Sequence, residues 1–301
     1  MYIFKLSPSD STYYDIDKNI VEYKTEKKYP YYRSRKDSDD FSQFAVCPAC
    51  SNPIQIIGLY TAHKPYARHY KNNIPGLVEY LQENYDFCPL KRKHQSYSAK
   101  VRKQKVDSSV LAIIRVLIEN FDKVIYFVQK SIDIYISVRL AKDMLNYYFT
   151  SKGYLYPGST LLNVPLMFAY FSGTYHLNGR IIFSESLKES LKTKKFVSFS
   201  ENKLHTHCDL SFCFRNHSIS LIDEHNLQEK LIFSVAWRNE MGKIENVYEK
   251  EIEFDPIYCR RLFQYKPLNE TEKQKEHRNM LRNSAFQIAQ EFGFMVGESA
   301  L

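Results

Sequence analysis

The amino-acid sequence predicts an α+β protein with a zinc-organised N-terminal module, a helical middle, and a C-terminal antiparallel β-sheet followed by a terminal helix. Three observations predict it. Cysteine and histidine recur in metal-ligand order between Cys47 and Cys88, apolar residues follow helical spacing from Asp107 to Tyr148, and after Tyr156-Pro-Gly158 the apolar period shortens to that of strands. The change of pattern places the domain boundary between a zinc-binding module with a basic segment, 1–106, and a helical and antiparallel-sheet domain, 107–301.

Taken in order, residues 1–46 are rich in Tyr, Asp, Lys and Ser, with a strand expected at Asn19–Tyr23 and loops across the polar stretch Tyr29–Asp40. Ile54–Tyr60 reads as a strand. Gly76–Tyr85 reads as a helix, because Leu77, Tyr80, Leu81 and Tyr85 share one face at 3.6-residue spacing. From Asp107 or Ser108, either able to cap a helix, a stripe runs through Val110, Ile113, Ile114, Leu117 and Phe121. A second helical segment is expected over Ser131–Tyr148. Strands are then expected at Arg180–Phe183, Phe196–Phe199, Cys208–Phe214, Ile219–Ile222, Leu231–Trp237 and Ile244–Phe254, joined by polar turns such as Asn239–Gly242. With no long helices between most of them, the sheet should be antiparallel. Glu270–Phe292 reads as a helix docked on that sheet through Leu281, Ala285, Ile288 and Ala289.

The chemistry concentrates in Cys47-Pro-Ala-Cys50, followed after 18 residues by His69 and after 18 more by Cys88. A Cys-x-x-Cys turn aims two thiolates at one ion, and Pro48 restricts that turn beforehand. The set Cys47, Cys50, His69 and Cys88 therefore predicts one tetrahedral zinc site, with His63 as the reserve ligand. A thioredoxin-like dithiol should sit between a strand and a helix, whereas here Ser51-Asn52-Pro53 interrupts the chain at once. Three of the six cysteines lie in this cluster, so reduced thiols fit better than a disulfide framework.

The formal charge of +8 favours an anionic partner. Between Lys91 and Lys105 the chain carries seven basic residues and no acid: Lys91, Arg92, Lys93, Lys100, Arg102, Lys103 and Lys105. These are the candidate phosphate contacts, with a solvated helix face or linker as the alternative. A nucleic-acid partner is thus expected, and a protein partner remains open. No run of about 18 apolar residues suggests a membrane span, and Met1–Ser7 lacks a secretory signal, so a cytoplasmic protein is expected. Neither a P-loop nor a dinucleotide fingerprint occurs among the nine glycines, which disfavours ATP-driven chemistry.

Lys64-Pro-Tyr-Ala-Arg-His69, followed by Cys88-Pro-Leu, resembles the zinc-binding N-terminal region of competence CoiA-like proteins over about residues 45–92. That resemblance implies a metal-organised module of prokaryotic DNA-processing or phage-defence proteins. The nuclease acids of that family find no match downstream. His69, Asn84 and Cys88, with Ile74-Pro-Gly76 between them, also resemble the order in HNH nucleases, which would make His69 and Asn84 catalytic. Arg68 stands where that family needs a metal-binding Asp or His, and Cys88-Pro-Leu-Lys91 lacks the second cysteine of its closing pair. Downstream, His205, His207, Cys208, Cys213 and His217 form a second His/Cys-rich stretch. On a strand His205 and His207 share one face and Cys208 the other, so an ordinary strand is expected there, with Asp209 and His207 as its polar pair.

Overall fold

A computed structural model describes residues 1–34, 41–86, 88–91, 98–194, 196–221, 227–238, 241–267 and 269–294. It is a mixed helix-and-sheet protein with antiparallel sheets, a C-terminal helix and a Cys/His cluster near the N-terminus. The chain forms two compact units, one built mainly on Met1–Val116 with Leu155–Leu162, the other on Leu117–Tyr154, Asn163–Ser220 and the chain from Gln228.

The first unit opens with a short ribbon, β1 (Ile3–Phe4) against β2 (Tyr14–Asp15), and helix α1 (Lys18–Thr25). The strand expected at Asn19–Tyr23 is part of this helix. Its β-branched residues suggested extension locally, but the Asp17 carboxylate accepts hydrogen bonds from Asn19 N and Ile20 N, and Val21 and Thr25, one turn apart, are buried. Strands β3 (Tyr32–Ser34), β4 (Phe41–Val46), β5 (Pro53–Ile57) and β6 (Tyr66–His69) follow in sheet order, each antiparallel to the next. Phe4, Val21, Ala45, Ile54, Ile56 and Ala67 form the core, and Cys47, Cys50 and Cys88 lie within it.

The helix expected over Gly76–Tyr85 shrinks to α2 (Gln82–Asp86). Backbone groups that a longer helix would need are already taken. Ile74 pairs with Val78 across Gly76 at φ +80°, Asn73 Oδ1 accepts from Tyr80 N, and the Asn52 side chain holds both the N–H and the C=O of Leu81. Helix α3 (Ser108–Glu119) starts where expected, with Asp107 Oδ1 accepting from Val110 N.

In the second unit α4 (Phe121–Ile132) is a helix that the sequence does not announce, and the segment expected over Ser131–Tyr148 starts as its last turn and becomes helical again only as α5 (Val138–Thr150). Asp133 is left-handed at φ 54° and ends α4, Ile134 pairs with Ile182, and Ser137 then caps α5. Helix α6 (Val164–Tyr170), strand β7 (Tyr175–His176) and helix α7 (Glu185–Lys192) lead to the ribbon β8 (Val197–Ser200) and β9 (Lys203–Thr206). Arg180–Phe183 forms isolated bridges to Ile134 and Lys203 instead of a strand.

Three long strands, β10 (Asp209–Leu221), β11 (Leu227–Arg238) and β12 (Ile244–Phe254), complete a four-stranded antiparallel sheet in the order β12-β11-β10-β7. The strand expected from Ile219 is the end of β10, and Ile222 lies outside the described residues. Helix α8 (Pro256–Gln264) and helix α9 (Glu272–Glu291) close the unit. Helix α9 packs on α4 and α5, not on the sheet as its apolar stripe alone suggests. Its buried stripe is the expected one, Leu281, Ala285, Ile288 and Ala289.

Candidate metal centre

The β4–β5 turn supplies the first two thiols. Cys47 N donates to Asn52 O at 2.8 Å and Ser51 N to Cys47 O at 2.9 Å, a tight knuckle closed by Ser51 in the left-handed region at φ 56°. His69 sits at the end of β6, opposite Ile54 of β5. Cys88 follows α2, and its N–H donates to Tyr85 O at 3.1 Å. Three elements distant in sequence thus converge on one point.

The ligand atoms of Cys47, Cys50, His69 and Cys88 all lie within 4.8 Å of one another. Cys47 Sγ is 3.8 Å from Cys88 Sγ, and His69 Nε2 is 3.3 Å from Cys50 Sγ and 3.4 Å from Cys88 Sγ. Standard zinc bond lengths in a tetrahedron require S···S edges of about 3.8 Å and S···N edges of about 3.6 Å. The donor set and these edges therefore suit zinc. His63 is exposed and outside the group, so the reserve ligand is not used.

Electrostatics point the same way. Burial alone would raise the Cys47 thiol, but hydrogen bonds from Cys50 and Cys88 and the neighbouring His69 hold it well below the usual range. Burial and the adjacent Cys47 thiolate push Cys50 and Cys88 well above it. Without a cation the pocket holds one thiolate comfortably and resists the next two; a divalent ion removes that conflict.

The surroundings contain groups that sequence reasoning missed. Lys5 is fully buried, its backbone pairs with Val46, and its Nζ donates to Pro8 O at 2.8 Å. Burial lowers its ammonium to about 8, opposed by the Cys47 thiolate. Lys103 is 6% exposed, and burial lowers it while Asp107, Cys50 and Cys88 oppose the shift. A three-thiolate, one-imidazole zinc site carries one net negative charge, and two buried ammonium groups offset it. Tyr85 packs edge-on against the His69 ring at 5.2 Å, and Asn52 anchors Leu81 just before α2, which leads to Cys88. Such outer contacts orient metal ligands.

The remaining candidates separate. Asn84 is buried and donates from Nδ2 to Asp107 Oδ2 at 2.8 Å, at the start of α3. In the basic segment Lys100 and Lys105 are exposed, while Lys91 and Arg102 are half-buried. Buried Lys103 is not offered to a phosphate. Arg92 and Lys93 lie outside the described residues. His205, His207, Cys208 and Cys213 form no metal-ligand group among the described residues. Asp209 pairs with His176 Nδ1 at 3.3 Å and Arg238 Nε at 3.5 Å instead of with His207. His217 Nε2 lies 3.1 Å from Glu229 Oε2, which also accepts from Asn163 Nδ2 at 2.7 Å, a buried structural network.

No helix among the described residues is long and apolar enough to cross a membrane. Comparison with protein-family models, with curated proteins and with solved structures finds no match.

Proposed function

We propose that this protein is a zinc-stabilised nucleic-acid-binding protein of a prokaryotic DNA-processing or phage-defence system, acting in the cytoplasm. In this reading zinc holds the first unit together and performs no chemistry. The observation that carries it is the closed donor set: three buried thiols and one imidazole within 4.8 Å account for all four tetrahedral positions, leaving none for water or substrate. A hydrolytic metal needs an open position. The free state of all six cysteines suits a reducing compartment.

Charge placement supports a polyanionic partner. Residues 1–106 contain 18 Lys and Arg against 11 Asp and Glu, so +7 of the formal +8 resides there. The exposed Lys100 and Lys105, with Lys91 and Arg102, present that excess beside the metal centre in sequence. Binding by counterion release should then be strongly salt-dependent.

The test combines metal analysis of protein purified without added zinc with binding and cleavage assays on single-stranded and double-stranded DNA and RNA. One zinc per chain, binding without cleavage, and a log-log salt slope that falls by about 0.7–0.9 for each of Lys91, Lys100, Arg102 and Lys105 changed to Gln are expected. Magnesium- or manganese-dependent cleavage would favour the HNH-like nuclease instead. Zinc-loaded protein that binds no nucleic acid would leave a protein-interaction subunit.

A further inference from the structure

In the second unit a cavity of about 1130 Å³ lies between α4, α8 and α9, apart in sequence from the basic segment and the metal centre. Two features of its wall call for a ligand. The first is charge. Lys123, Lys130, Arg261, Lys273 and Arg278 line it, against the acids Asp122 and Glu270, an excess of three in a domain where residues 107–301 carry only +1. Glu270 is already used by Arg278 at 2.9 Å. Arg261 and Lys273 have no ion-pair partner among the described residues. Burial lowers the Lys123 ammonium, and although Asp122 opposes this, Arg282, Arg278 and Lys266 crowd it with like charge.

The second feature is aromatic surface. Tyr126, Tyr135, Tyr258 and Tyr265 line the same cavity, and Tyr126 and Tyr265 are 50% and 61% exposed. Lys130 lies over the Tyr258 ring at 5.2 Å, placing a cation beside a stacking face. The N-terminus of α9 is not that site, because its own Thr271–Gln274 capping box occupies it.

We infer that this cavity binds a nucleoside diphosphate, the base against the tyrosines and the phosphates against Arg261, Lys273 and the half-buried Lys123 and Arg278. An excess of three positive charges matches a diphosphate, which carries on the order of three negative charges at neutral pH. The volume accommodates a ligand of that size with water. The chain carries no phosphate-binding glycine loop, so these side chains are what would hold the phosphates. This site is independent of the nucleic-acid reading above.

Isothermal titration of the full-length, zinc-loaded protein with ADP, GDP, CDP and UDP tests it. Saturable one-to-one binding of at least one is expected. Arg261→Gln with Lys273→Gln should weaken it tenfold or more, while Tyr265→Ala should weaken the nucleotide and leave pyrophosphate unaffected. All three residues are exposed, so the fold should survive, and an unchanged thermal transition verifies that. Gln substitutions at Lys100 and Lys105 should leave nucleotide binding intact. Absence of saturable binding by all four nucleotides overturns the inference. So does pyrophosphate binding as tight as the nucleotide, or a short oligonucleotide that occupies the site when no mononucleotide does.

Discussion

Replacing Asn52 by Ala tests how the metal centre is built, because this side chain touches no ligand sulfur yet governs the arrival of Cys88. Asn52 is 1% exposed, accepts from Leu81 N at 2.7 Å and donates to Leu81 O at 3.0 Å. A net hydrogen bond contributes about 1 kcal/mol, so the pair contributes about 2 kcal/mol. Where that loss surfaces depends on when the Leu81–Cys88 segment becomes ordered. If it orders only with zinc, affinity for zinc falls by about 30-fold, since each 1.4 kcal/mol is a factor of ten. If it is ordered beforehand, the loss appears in the unfolding free energy of the zinc-free protein, and affinity holds. Competition with a chromophoric chelator and denaturant unfolding of metal-free protein measure the two parts, whose sum should be about 2 kcal/mol. Wild-type values in both experiments would refute the assigned role of Asn52.

Cys47→Ser and Cys88→Ser should each release zinc and unfold the first unit, because structural zinc is worth about 10–16 kcal/mol of folding free energy in small domains; full occupancy in either variant contradicts the ligand set. His69→Ala should lose zinc while His63→Ala keeps it, as metal analysis of the two proteins would reveal. Acidification should drive zinc off, since the ion holds thiols deprotonated that otherwise favour their protons, Cys50 and Cys88 above all; zinc content unchanged on titration from pH 7 to pH 4 would argue against thiolate ligation. His217→Ala removes a hydrogen bond to the buried Glu229 carboxylate and should cost about 1.5–3 kcal/mol in unfolding experiments, with an unaltered transition as the contrary result. Burial, with Asp255 nearby, pushes the Cys259 thiol to about 12, so iodoacetamide at pH 8 should leave it unmodified in the native protein, and rapid labelling would show that the site is open.

The Cys/His cluster that could hold a metal was legible in the sequence because ligand chemistry is local: a Cys-x-x-Cys turn announces itself, and few residue types besides His and Cys complete it. The long strands β10 to β12 were legible for a similar reason, with Leu210, Phe212 and Phe214 alternating inward as their spacing required. What escaped depends on contacts between distant positions. Nothing near Gly76–Tyr85 shows that Asn52, 29 residues before Leu81, captures the backbone a helix would use. Burial of Lys103 is equally invisible in a run of seven cations, since only packing distinguishes it from exposed Lys100 and Lys105. Asp133 reads as one more polar residue in an apolar periodic segment until its positive φ divides α4 from α5. The cavity of the second unit is assembled from α4 and from α8 and α9 more than a hundred residues later, beyond the reach of any sequence window.

The two 18-residue spans that separate Cys50, His69 and Cys88 also bear on how freely the chain can be rewritten. Polymer closure grows only logarithmically with length, so doubling such a span adds about 0.6 kcal/mol, small beside the energy of a metal cross-link. Thr61, Ala62, His63 and Lys64 are exposed, precede β6, and include no ligand. A peptide tag or a fluorescent domain inserted there should leave the coordination cage intact, providing a reporter on the first unit that leaves both chain ends free.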